Sequence, residues 1–186
     1  MSKKDKKKNV QSASTLAALL KEKPKRGRPK HAVSRENVYV ALSKEQKQLM
    51  RQMALKLPKG IVRADIPDLA ISVLSVRLES LHQAVADRSR AIPEGITDLE
   101  SLYLLWDLPL PIFDSEQKWT SIRVSPQQAL EFGRAQGTLK AAFKTTRSET
   151  FALGLSLLTQ FIEDYLLNAD NMTPEEVRRM INSNYL

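Results

Sequence analysis

The chain has no cysteine, which excludes a disulfide framework and a thiolate metal site. Its only histidines are His31 and His82, and no group of residues has metal-ligand spacing. No P-loop, G-x-G-x-x-G or G-x-S-x-G is present. The adjacent carboxylates Glu163–Asp164 and Glu175–Glu176 point to different helical faces or serve as first-turn charges, so neither pair reads as an acid–base couple. Charges interrupt every apolar run well short of the ~20 residues that a membrane helix needs. The basic N-terminus also lacks the apolar stretch of a signal peptide. These absences lead us to expect a soluble cytoplasmic protein that is no enzyme, with no cofactor, no metal and no membrane partner.

What the sequence does have is charge in one place. The net charge is +8, yet Met1 to Asn37 alone carries twelve Lys and Arg against Asp5, Glu22 and Glu36, a net of +9. The remainder is close to neutral, at −1. A basic arm attracts any polyanion through counterion release, which gives affinity without choice of sequence. Its first stretch, "MSKKDKKKNV", has no periodicity and is expected to be disordered. "STLAALLKEK", Ser14 to Lys23, predicts a short helix that Pro24 stops.

The rest reads as two similar halves. In "NVYVAL" the residues Val38, Val40 and Leu42 alternate with Asn37, Tyr39 and Ala41. In "WTSIRV" the residues Thr120, Ile122 and Val124 alternate with Trp119, Ser121 and Arg123. Ser43 and Ser125 follow these strands and suit helix N-caps, and Pro126 fits a first helical turn. Each half then has an amphipathic helix, a turn and a more apolar helix with Asp65 or Ser148 as its cap. Leu42 to Asp65 and Val124 to Arg147 are both 23 residues, which makes a repeat with an offset of 82. Val38, Val40, Leu42, Ile122 and Val124 are expected to face helices carrying Leu49, Met53, Leu69, Val73, Leu130, Leu153 and Leu157.

The predicted organisation is a disordered arm over 1–36, a first unit over 37–90, a packed connector over 91–118, a second unit over 119–168 and a short C-terminal helix within 169–186. In the connector, Thr97 and Glu100 form a T-x-x-E capping box, and "DLPLPIF" is expected to be extended. Thr173, Pro174 and Glu176 open the last helix. The predicted fold class is mostly α with a short two-stranded antiparallel β-ribbon. Its rival is a pair of ordinary edge strands in an α+β protein.

These stretches resemble the ribbon-helix-helix family, the Arc, MetJ and CopG type, over most of residues 37–166. Both units lie in one chain, as in some accessory proteins of plasmid conjugation, which implies an intramolecular pseudo-dimer. The alternative is pairing between chains, with self-association on DNA. The resemblance implies that Asn37, Tyr39, Ala41, Trp119, Ser121 and Arg123 face the DNA major groove. It also implies phosphate contacts at Thr146, Arg147 and Ser148, as a helix N-terminus suits an anion. Asp65 departs from this pattern in the first unit, where Arg63 would offset it.

"KRGRPK" resembles the AT-hook, whose core is R-G-R-P. Gly27 lets the backbone approach a groove floor, and Pro29 favours an extended path. Arg26 and Arg28 would lie in an A·T-rich minor groove, with Lys25 and Lys30 on flanking phosphates. The resemblances imply a nucleoid-associated binder of double-stranded DNA acting in transcriptional repression. The alternatives are a relaxosome or partition accessory protein, and an adaptor that recruits a protein partner through residues 102–113. Exposed Trp106 and Phe113 would favour the adaptor.

Overall fold

Residues 34–86, 96–111, 116–167 and 169–186 are described by the structure, a computed structural model. The expected helix at 14–23 and the AT-hook at 25–30 lie outside the described residues. Among those described there are six α-helices and one two-stranded antiparallel sheet, which agrees with the predicted class. No helix is long and apolar enough to cross a membrane among the described residues.

Strand β1 (Glu36–Leu42) pairs with β2 (Lys118–Val124) within the one chain. The alternation seen in sequence becomes two faces. Val40, Leu42, Ile122 and Val124 are buried, whereas Asn37, Tyr39, Trp119, Ser121 and Arg123 are exposed. The strands have the same exposure at every position related by the 82-residue offset except Ala41, which is half-buried, and Arg123. Tyr39 and Ser121, which that offset relates, stand directly opposite each other in the ladder.

Helix α1 (Lys44–Lys56) begins at Ser43 and stops at Leu57, because Pro58 disfavours helical backbone before it. Helix α4 (Pro126–Phe143) has no such proline and runs longer, ending on Lys144 with a left-handed φ of 57°. Its buried stripe is Gln128, Phe132, Ala135 and Leu139. Leu130, expected in the core, is 55% exposed, because two residues on from Gln128 is the opposite side of the helix.

The central pair is α2 (Ile66–Ala86) and α5 (Arg147–Phe161). Ile66 to Leu74 is buried on every side, the polar Asp68 and Ser72 included. Gly154 of α5 lies so close to α2 that a Cβ there would meet the Ala70 carbonyl oxygen at 2.9 Å. Two predicted caps are corrected here. Thr146, not Ser148, caps α5 in a box with Glu149. Asp65 belongs to a 3₁₀ turn (Arg63–Asp65) that leads into α2.

Beyond Phe161 the chain makes a π turn, Ile162–Leu166. Helix α6 (Pro174–Tyr185) has the predicted Thr173–Glu176 box and packs Val177 and Ile181 inward, against α2. The chain before it is pinned to the α1–α2 loop, with Lys59 N–H donating to Asp170 and Met172 N–H donating to Lys59. Gly60 sits at this crossing with φ 102°.

In the connector, α3 (Leu99–Leu105) is capped by Asp98 and not by the expected Thr97–Glu100 box. Asp98 wins because Oδ1 accepts from both the amide and the hydroxyl of Ser101, which also hold its carboxyl below the usual carboxylate range. The helix ends on Asp107 at φ 53°, with Leu108 N–H reaching back to Tyr103 and Asp107 N–H to Leu104. Of "DLPLPIF", Asp107 is thus turned and not extended, and residues 112–115 lie outside the described residues.

Candidate nucleic-acid interface

The outward face of the ribbon carries three cross-strand pairs: Asn37–Arg123, Tyr39–Ser121 and Ala41–Trp119. Tyr39 is 61% exposed and Trp119 is 74% exposed, so neither aromatic is packed on the ribbon edge. Four residue steps separate the outer pairs, a span of about 13 Å along the strands. A two-stranded ribbon is narrow enough for a major groove, which is about 12 Å wide. The six side chains named from sequence therefore share one face, exposed at every position but the half-buried Ala41.

Each strand is tied to the start of a central helix from the other half. Ala41 N–H donates to Ser148 Oγ at 2.8 Å, and Ser125 N–H donates to Asp68 Oδ1 at 2.9 Å. These bonds hold the ribbon against the N-termini of α5 and α2. They also redefine Ser148, expected at a phosphate. Its side chain is buried and positions the ribbon instead.

The remaining phosphate candidates divide as follows. Arg63 and Arg147 are exposed in the turn before α2 and at the start of α5. Thr146 is exposed, but Thr146 Oγ1 accepts from Glu149 N–H, and Thr146 N–H donates to Glu149 Oε2 at 2.6 Å. A cleft of about 360 Å³ nearby is lined by Asp98, Glu100, Glu149, Lys144 and Thr145 among others, so the surroundings are acidic. Arg147 is then the one side chain of the trio positioned to attract an anion.

Contrary to the expectation from sequence, the residue that offsets Asp65 is not Arg63. It is Arg35, which donates to Asp65 Oδ1 at 2.5 Å and to the Ala64 carbonyl. Arg35 also lies 3.7 Å from Asp68, whose other neighbour is Arg178 of α6 at 3.6 Å. Sequence reasoning missed Arg35 and Asp68. The available signal was an Asp set inside the apolar run "IPDLAISVL", which demands a cationic or hydrogen-bonding partner. The arm expected over 1–36 accordingly gives way to folded chain before its predicted end, since Arg35 is anchored and β1 starts at Glu36.

Elsewhere, Trp106 is 7% exposed, and the Arg77 guanidinium carbon lies 5.3 Å from its ring centroid and 4.6 Å from that of Tyr185. Its burial removes one of the two anchors expected of an adaptor surface. The other, Phe113, lies outside the described residues. His82 is exposed, beside Glu79, Glu131 and Arg134 in a groove of about 580 Å³ between α2 and α4. Among the described residues no group of three or more His, Asp or Glu is placed to hold a metal ion. No protein-family model matches the chain, and neither a curated protein nor a solved structure matches it.

Proposed function

We propose that the chain is a sequence-specific binder of double-stranded DNA acting as a transcriptional repressor. Its two strand-helix-helix halves are ribbon-helix-helix units paired within one chain. The β1–β2 ribbon lies in the major groove, and the AT-hook at 25–30 takes an adjacent minor groove. The observation that carries this reading is the ribbon register. The ladder is centred on Tyr39–Ser121, the pair that the repeat relates, and all six expected base-facing positions fall on its outer face. An ordinary edge-strand pair has no reason to be centred on the repeat.

The charge distribution supports the same reading. The folded part carries no excess positive charge, so the arm, with its net of +9, supplies sequence-independent affinity. In sequence, four residues separate Lys30 of the hook from Arg35. The phosphate contacts proposed for the folded part are Arg147, with the first amides of α5, and Arg63.

Fluorescence tests this directly, because one of the two tryptophans is buried and the other stands on the ribbon. In a Trp106→Phe variant, Trp119 reports alone. Duplex DNA should shield it from acrylamide quenching. Unchanged quenching with DNA bound would place the binding surface elsewhere and reject the ribbon. For the arm, Arg28→Ala should weaken binding most on A·T-rich flanks. An equal loss on G·C flanks would reject the hook.

A further inference from the structure

The two ends of the exposed ribbon face differ in chemistry. At one end Asn37 stands opposite Arg123, and at the other Ala41 stands opposite Trp119, with Tyr39 and Ser121 between them. An Arg fork matches guanine O6 and N7, and an Asn amide matches adenine N6 and N7. That end is built to read purines. The other end cannot complete such a pattern: alanine offers no polar side-chain atom, and an indole has a single donor. The one apolar group displayed in the major groove is the thymine 5-methyl.

We infer that the ribbon is directional. Guanine or adenine lies at the Asn37–Arg123 end and thymine methyls lie at the Ala41–Trp119 end. The strand distance between the ends is about 13 Å, close to four base-pair steps of ~3.4 Å. The recognised site has no two-fold symmetry, and the chain binds it in one orientation. Trp119 and Ala41 are specificity-determining residues for thymine. This inference rests on the major-groove reading proposed above. DNA is the occupant the surface fits, because the chain of net +9 over residues 1–37 runs straight into β1 of this ribbon and the face itself carries Arg123.

The test begins with selection from randomised duplex DNA by the full-length chain. The thymines of the enriched duplex are then replaced one at a time by deoxyuridine, which removes only the methyl. We expect an asymmetric motif in which deoxyuridine at one end weakens binding about three- to fourfold per methyl. Trp119→Ser should abolish that sensitivity while leaving the opposite end selective. Arg123→Ala should flatten the purine preference alone. Both side chains are exposed, so neither truncation disturbs the core. A palindromic motif, or deoxyuridine tolerated at every thymine, would overturn the directionality while leaving major-groove binding intact. Loss of selectivity at the same end in both variants would do so as well. Enrichment of no motif would overturn the major-groove reading itself, and the directionality with it.

Discussion

The first helix of each half opens with the same cap sequence, Ser-x-x-Gln, yet the two caps differ. In the first half Ser43 N–H donates to Gln46 Oε1 at 2.9 Å, and Gln46 N–H donates to Ser43 Oγ at 3.2 Å, closing the box. In the second half Ser125 N–H is taken by Asp68 Oδ1, and the Ser125 hydroxyl makes no cap bond. Gln128 is left buried, its Oε1 without a partner among the described residues. A carboxylate acceptor makes a stronger hydrogen bond than a neutral amide. One buried Asp from the other half therefore overrides a local motif that works unaided elsewhere in the chain. The asymmetry lies in the scaffold as well as on the ribbon surface.

Removing Asp68 is the most damaging way to break this comparison. Asp68→Ala leaves Arg35 and Arg178 without their shared carboxylate and Ser125 N–H without its acceptor. The expected loss is roughly 3–5 kcal/mol. The repeat places Thr150 at the corresponding position of the second half, where Thr150 Oγ1 donates to the Thr146 carbonyl at 3.0 Å and lies 3.5 Å from Thr145 Oγ1, both neutral partners close in sequence. Thr150→Val should cost only about 1 kcal/mol. Urea midpoints of the two variants measure the contrast. Equal losses would mean that Asp68 is no hub.

The connector belongs to neither half, and its buried Tyr103 gives a test by pH. Burial pushes the Tyr103 hydroxyl up to about 12. Below pH 10 the folded and unfolded chains both keep the proton, so Tyr103 adds no pH dependence. Between pH 10 and 12 the unfolded chain loses it while the folded chain retains it, and stability falls by about 2–3 kcal/mol. Comparing Tyr103→Phe with the parent isolates this share of the alkaline loss. An identical alkaline profile in the two would show that the phenol ionises freely in the folded state.

The helix crossing offers a third contrast. Gly154→Ala puts a Cβ against the Ala70 carbonyl, a backbone atom that cannot turn aside, and should cost roughly 1–3 kcal/mol. Its counterpart by the repeat is Ser72, whose hydroxyl donates to the Asp68 carbonyl one turn earlier. Ser72→Ala should be close to neutral, because such back-bonding adds little to a helix. Thermal unfolding of the two variants decides the matter. A harmless Gly154→Ala would mean that α2 and α5 cross less closely.

What the sequence revealed and what it hid separate along physical lines. Both strands, their outward faces and the Thr173–Glu176 box were legible because they follow from period-two alternation and from contacts three residues apart. Leu130 misled because hydrophobicity alone does not fix which stripe of α4 turns inward, and Phe132 with Leu139 makes the larger one. Thr97 misled because Asp98, one residue on, caps with two bonds. Asp68, Arg35 and the Ser148–Ala41 bond were hidden because each joins segments distant in the chain. No local pattern marks such a pairing.

The smallest effect is also the sharpest test of the two caps. Ser43→Ala removes the oxygen that accepts Gln46 N–H and should cost about 1 kcal/mol. Ser125→Ala removes a hydroxyl that makes no cap bond, and Pro126 already occupies the first helical turn, so its cost should be near zero. The background matters. With Asp68 replaced, Ser125 N–H is free to find Gln128 Oε1, the second box can close, and Ser125→Ala should then cost what Ser43→Ala does. A double-mutant cycle between positions 68 and 125 measures this coupling. A Ser125→Ala cost that is independent of Asp68 would mean that the long-range carboxylate does not hold the second cap open.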